Sequence, residues 1–156
     1  MDNQLDLWGK SPEELAALMK TVFGHPAFRG RQIAEWLYKR GARSFADMNN
    51  LPQGLREQLA AVATATFAIP TALADLISAD RKTKKALLQL ADGATIETVL
   101  MRQPYGNSVC VSSQVGCAMG CAFCASTKNG CERNLTRGEM LRQVFHFHCP
   151  QDKAAQ

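Results

Sequence analysis

Ser108-Val109-Cys110-Val111-Ser112-Ser113-Gln114-Val115-Gly116-Cys117-Ala118-Met119-Gly120-Cys121-Ala122-Phe123-Cys124 decides how the chain is read, because a strand-like run feeds into three cysteines at unequal spacing. Valines at 109 and 111 make 108–112 a strand. Thr136-Arg137-Gly138-Glu139 has the form of a capping box and starts a helix through Met140, Leu141, Val144 and Phe145. Strand, cysteine loop and helix follow one another as at the first crossover of a parallel α/β barrel. The thiols at 117, 121 and 124 can hold three irons of a four-iron cubane and leave the fourth iron open for chemistry. Zinc is the rival metal, with Cys110 or Cys131 as a fourth ligand, and inert thiols are the third reading. The x3-then-x2 spacing with Phe123 before the last cysteine suits iron–sulfur better than paired zinc ligands.

Upstream, two hairpin-like regions precede this run. Leu73–Ser78, Lys85–Leu90 and Thr95–Met101 read as short strands, and Ala91-Asp92-Gly93 is a hairpin turn between the last two. Tyr105-Gly106-Asn107 makes a further turn. The first 66 residues read instead as a small helical bundle. Ser11-Pro12-Glu13-Glu14 caps a helix carrying Leu15, Leu18, Met19 and Val22, which Gly24 closes. A second helix is expected from about Gly30 to Arg40, with Ile33, Trp36 and Leu37 inward and Gly41 as its stop. Ser44 to Met48 reads as a helical turn, and Pro52 opens a helix with Leu55, Leu59 and Val62. The expected division is therefore 1–66 and 67–156. No internal repeat is visible.

With 46% hydrophobic and 21% charged residues, the 156-residue composition is that of an ordinary globular protein. No apolar run reaches the ~20 residues that span a bilayer. Met1-Asp2-Asn3-Gln4 does not open a secretory signal, so a cytoplasmic location is expected. In that reducing compartment the six cysteines favour metal or redox chemistry over structural disulfides. A net charge of +4 permits nucleic-acid contact without requiring it.

Cys110-Val-Ser-Ser-Gln-Val-Gly-Cys117, Cys121-Ala-Phe-Cys124-Ala-Ser-Thr and Arg133-Asn-Leu-Thr-Arg-Gly-Glu139 together closely resemble the RlmN/Cfr family of radical S-adenosylmethionine RNA methyltransferases. Phe28-Arg29-Gly30-Arg31-Gln32-Ile33 and Trp36-Leu37-Tyr38 resemble that family's N-terminal helical domain, and Asp80-x-Lys82-x-Lys84 and Ile96-Glu97-Thr98-Val99 also fit. The resemblance runs from about Ser11 to His148 and covers the front half of a usual member. It is nearest the branch that methylates adenine carbon 2 in 23S ribosomal RNA and in transfer RNA; Val115 between Gln114 and Gly116 leans that way.

The resemblance implies a fold between α+β and α/β: a helical RNA-binding accessory domain, then a β-hairpin and the first strand–loop–helix of an incomplete partial (β/α) barrel. It implies that Cys117, Cys121 and Cys124 bind a 4Fe-4S cluster whose open iron chelates S-adenosylmethionine. An electron from a flavodoxin or ferredoxin type of donor would then cleave that molecule to a 5′-deoxyadenosyl radical, which takes hydrogen from a methylated cysteine near the family's C-terminus. Cys110 matches the second catalytic cysteine, which resolves the protein–RNA adduct by forming a disulfide, and Glu97 matches a glutamate that moves a proton. A monomer without membrane attachment is implied. Basic groups at Arg29, Arg31, Lys39, Arg40 and Arg43, and at Arg81 to Lys85, become candidate phosphate contacts.

Each of these residues also has a plainer role. Cys110 between two valines can be a small buried hydrophobe, and Glu97 can be a solvent-facing strand carboxylate. Cys131 and Cys149 have weaker claims, and helical spacing puts His146, His148 and Cys149 on different faces, so these residues read as incidental. The family's Gly-Glu-Pro type motif and methyl-bearing cysteine do not occur here, so the expectation is a front portion inactive by itself. The rival functions are a catalytically inert RNA-binding module and a zinc-stabilised structural domain.

Overall fold

Ser11 caps the first helix as its place before Pro12 requires: its hydroxyl accepts from the Glu14 N–H at 3.1 Å and its own N–H donates to the Glu14 carboxylate at 2.6 Å. The computed structural model describes residues 5–67 and 70–148. It divides the chain into two units, Met1–Ala68 and Ile69–Gln156.

In the first unit, α1 (Pro12–Thr21) buries Leu15 and Met19, and α2 (Phe28–Glu35) buries Gly30, Ile33 and Ala34. The second helix starts two residues earlier than expected and runs on as a π-helical turn, Trp36–Arg40, which ends at Gly41 with φ +64°. A left-handed residue there favours glycine because it has no Cβ to collide with the backbone. A 3₁₀ turn (Phe45–Asp47) follows, with Ser44 and Asp47 forming a second capping box, and α3 (Gln53–Val62) begins after Pro52. Leu7, Leu15, Met19, Ile33, Leu37, Met48, Leu55 and Leu59 form a fully buried centre. Val22 and Val62 do not join it and are exposed. Val22 is already the cap of α1 and Val62 the last residue of α3. Trp36 is half-buried and donates its indole N–H to Asn50 at 2.7 Å.

The second unit contains a four-stranded antiparallel meander of β1 (Thr71–Ile77), β2 (Thr83–Gln89), β3 (Thr95–Gln103) and β4 (Gly106–Cys110), in that order across the sheet. A separate two-stranded ladder pairs β5 (Gln114–Gly116) with β6 (Cys131–Asn134), and α4 (Arg137–His148) closes the unit. Opposed pairs Leu88↔Ile96 and Ala86↔Thr98 put these side chains on one face of the meander, and all four are buried. Leu90, Val115 and Leu135 complete that core, with Ala94, Met140 and Phe147 packed against it. Among the described residues no helix is long and apolar enough to cross a membrane.

Two expectations change here. The strand leading into the cysteine loop is β5, set off from β4 by Val111-Ser112-Ser113, instead of the 108–112 run itself. The apolar side chains of α4 are also only partly inward: Gly138, Arg142 and Gln143 are buried, while Leu141 and Val144 are exposed. Gln143 takes an inward position there because it bonds both the N–H and the carbonyl of Ser112.

Candidate functional site

The cysteine loop is closed at its base by two glycines. Val115 pairs with Arg133 and Gly116 with Cys131, with a register irregularity between the two. Gly116 has φ +72°, and a Cβ there would lie 2.0 Å from the Gly130 carbonyl oxygen. Only glycine permits this approach, which lets the Cys117 N–H donate to that same oxygen at 2.9 Å. Within the loop the Cys124 N–H donates to the Cys121 carbonyl at 3.0 Å. The Thr127 hydroxyl lies within hydrogen-bonding distance of the Cys121 and Cys124 carbonyls, at 3.3 and 3.1 Å. Cys117, Cys121 and Cys124 are half-buried free thiols, whereas Met119 and Phe123 project outward, Phe123 at 92% exposure.

Three thiols without a carboxylate or imidazole among them are a soft donor set that suits iron–sulfur chemistry. Among the described residues no three His, Cys, Asp or Glu side chains are grouped closely enough to hold a metal ion, so the loop does not present a preassembled cage. Cys131 lies outside the loop, exposed on β6 opposite Gly116. His146 and His148 lie on α4, and Cys149 falls outside the described residues.

Glu97 and Cys110 share the other face of the meander. Val99 stands directly opposite Cys110, so Glu97, two residues earlier on β3, is on the same side and one step along the diagonal. Such diagonal neighbours sit about 7–8 Å apart. Both are exposed, so the buried-hydrophobe role does not describe Cys110. Lys85 binds the Glu97 carboxylate at 2.8 Å, an exposed pair whose worth is orientation more than stability.

Sequence reasoning missed the residues that hold this segment. Gln143, fully buried, uses its side-chain amide like a strand edge: Oε1 accepts from the Ser112 N–H and Nε2 donates to the Ser112 carbonyl, both at 2.8 Å. The Ser112 hydroxyl donates to the Glu97 carbonyl at 2.7 Å, and buried Thr98 donates to the Cys110 carbonyl at 2.9 Å. The peptide between Cys110 and the loop is thus held from both sides. A glutamine four residues after Glu139 among apolar positions was the available signal.

Arg133 joins the β2–β3 turn to α4. Its guanidinium reaches Asp92 at 2.8 Å and grips Glu139 with two hydrogen bonds, at 2.8 and 3.0 Å. The bonds to Glu139, above all, raise the arginine's pKa further against the opposing effect of burial. Burial pushes Glu139 up, but Arg133 and the Thr136 N–H outweigh it and leave the carboxyl below its ordinary range; Asp92 is lowered in the same way, with Arg133 and the Ala94 N–H outweighing burial.

This geometry has a close counterpart among solved structures. A radical SAM methyltransferase from Sphaerobacter thermophilus superposes with a TM-score of 0.82 at 38% identity, covering 97% of this chain and 44% of that one. The fold is that of part of a radical SAM methyltransferase.

Residues 5–65 match the family model of the ribosomal RNA large subunit methyltransferase N-terminal domain. The probable dual-specificity RNA methyltransferase RlmN of Symbiobacterium thermophilum is 48% identical over 138 residues, 87% of this chain and 36% of the relative. The protein of the same description from Bacillus thuringiensis is 49% identical over 133 residues, 84% of this chain and 35% of the relative. The chain is thus similar to RlmN methyltransferases over most of its length, and its first unit matches the N-terminal domain model of the ribosomal RNA large subunit methyltransferases. It spans about a third of the length of these curated relatives, less than the front half expected from its motifs.

Proposed function

We propose that the chain is the cluster-bearing front portion of a radical S-adenosylmethionine methyltransferase that modifies adenine carbon 2 in 23S ribosomal RNA and in transfer RNA. The observation that carries this reading is a three-thiol loop, closed by Gly116 and Gly130, joined within a few residues to a sheet face bearing Glu97 and Cys110. Cys117, Cys121 and Cys124 would hold a 4Fe-4S cluster as thiolates. When bound, such a cluster supplies the electron that cleaves S-adenosylmethionine.

The remaining roles fall to the chain's own groups. Glu97, oriented by Lys85, would move the proton, and Cys110 on the same face would serve as the second thiol of the reaction. Gln143, Ser112 and Thr98 fix the backbone between them. The first unit serves as an RNA-gripping accessory domain, and β5, the loop and α4 begin a partial (β/α) barrel. The reading carries with it a flavodoxin or ferredoxin type of electron donor and a monomeric, cytoplasmic protein.

The test is methyl incorporation into a 23S ribosomal RNA fragment by the protein whose front portion this chain forms, supplied with S-adenosylmethionine and reductant. Glu97→Gln and Cys110→Ala should each lower product formation on the order of 100-fold or more, the scale of a lost general acid–base group. Undiminished methylation by both variants would remove these residues from the mechanism.

A further inference from the structure

The two hairpin turns at one end of the meander bring together groups that the proposed chemistry does not use. β1 leaves the sheet at Ile77 and β2 enters at Thr83, while β3 leaves at Gln103 and β4 enters at Gly106. The Arg102 N–H donates to the Lys82 carbonyl at 2.7 Å, which fixes both turns side by side. Arg81, Lys82, Arg102 and Tyr105 are all exposed there, Tyr105 to 85%.

The first turn is held rigidly. Asp80 accepts from the Ser78 hydroxyl at 2.6 Å and from the Lys82 N–H at 3.1 Å, and these bonds hold its carboxyl below the ordinary range. Arg81 keeps a left-handed backbone at φ +55°, a conformation uncommon for a residue with a side chain. The next two lysines are engaged elsewhere, Lys84 with Asp75 at 3.3 Å and Lys85 with Glu97 at 2.8 Å. Among the described residues Arg81, Lys82 and Arg102 make no ion pair, and Asp80 is the acidic group set against them in this turn.

We propose that this sheet end is an RNA contact surface, with Arg81, Lys82 and Arg102 on backbone phosphates and Tyr105 stacked on an unpaired base. A turn of fixed shape presenting cations beside an exposed aromatic ring matches the chemistry of unpaired RNA, whose phosphates and splayed bases are both available. A paired stem would offer the phosphates and withhold the base. The inference rests on the RNA reading above and adds where the strand lies on this unit.

The experiment measures binding of the chain to an RNA hairpin with an unpaired loop, and to the same stem as a perfect duplex, across a salt series. Arg81→Ala/Lys82→Ala/Arg102→Ala should weaken hairpin binding at least tenfold and flatten the plot of log affinity against log salt by about two units, near 0.7–0.9 per lost phosphate contact. Tyr105→Ala should weaken the hairpin on the order of tenfold and leave duplex binding unchanged. If the native chain binds the hairpin and the triple variant matches it in affinity and slope, this surface assignment is wrong while the RNA reading stands. If the native chain binds neither RNA, the RNA reading itself fails, and this surface with it.

Discussion

Replacing Gly116 by alanine is expected to open the base of the cysteine loop and destabilise the β5–β6 ladder by about 3 kcal/mol or more. Two costs combine. A side chain in the left-handed region costs roughly 1–2 kcal/mol, and the new Cβ would fall 2.0 Å from the Gly130 carbonyl oxygen, a backbone atom with no rotamer in which to escape. Relief requires separating the strands, which breaks the Cys117 N–H to Gly130 bond and frees the first loop thiol. Hydrogen exchange at the Cys117 amide reads this directly. Gly120 supplies the control: its φ is +68°, but a Cβ there meets nothing within 4 Å. Gly120→Ala should therefore show the backbone cost alone, with the Cys117 amide still protected.

Gly30→Ala should be the most damaging small substitution in the helical unit. Helix propensity alone favours alanine by about 1 kcal/mol. Against that, a Cβ on Gly30 would lie 2.2 Å from the Ala16 nitrogen and 2.4 Å from the Leu15 carbonyl carbon, because α2 crosses α1 there backbone against backbone. The helices must part, and the buried contacts of Leu15 and Ile33 loosen with them. Overpacking of this kind costs ~1–3 kcal/mol or more, so the net sign is destabilising. Gly54, in α3, meets nothing within 4 Å, so Gly54→Ala should instead stabilise by about 0.5–1 kcal/mol. Urea denaturation of the two variants, moving in opposite directions, checks the packing account.

Much of this architecture could be read locally. Ser11, Ser44 and Thr136 announce their turns and helices because a cap is a contact between residues three apart. The Asp92-Gly93 turn fixed the β2–β3 register for the same reason. What was not legible depends on distant partners. β6 is four residues of Cys-Glu-Arg-Asn with no apolar alternation, and it becomes a strand only because Gly116 admits it. Gln143 faces inward because Ser112, thirty-one residues earlier, needs both a donor and an acceptor. Periodicity pointed to Leu141 and Val144, and hydrogen-bond demand overruled it. The three cysteines are legible in their spacing, while the clamp on Cys110 and the close approach at Gly116 depend on partners 12 or more residues away.

The proposed function rests most on the Cys117–Cys124 loop being an iron–sulfur site. Metal and acid-labile sulfide analysis of the anaerobically purified, reconstituted chain tests it most directly. The account predicts about four irons and four sulfides per chain, with cluster content falling to a small fraction in Cys117→Ala, Cys121→Ala and Cys124→Ala and unchanged in Cys131→Ala. Stoichiometric zinc with no labile sulfide, or iron and sulfide that persist in all three loop variants, would contradict it.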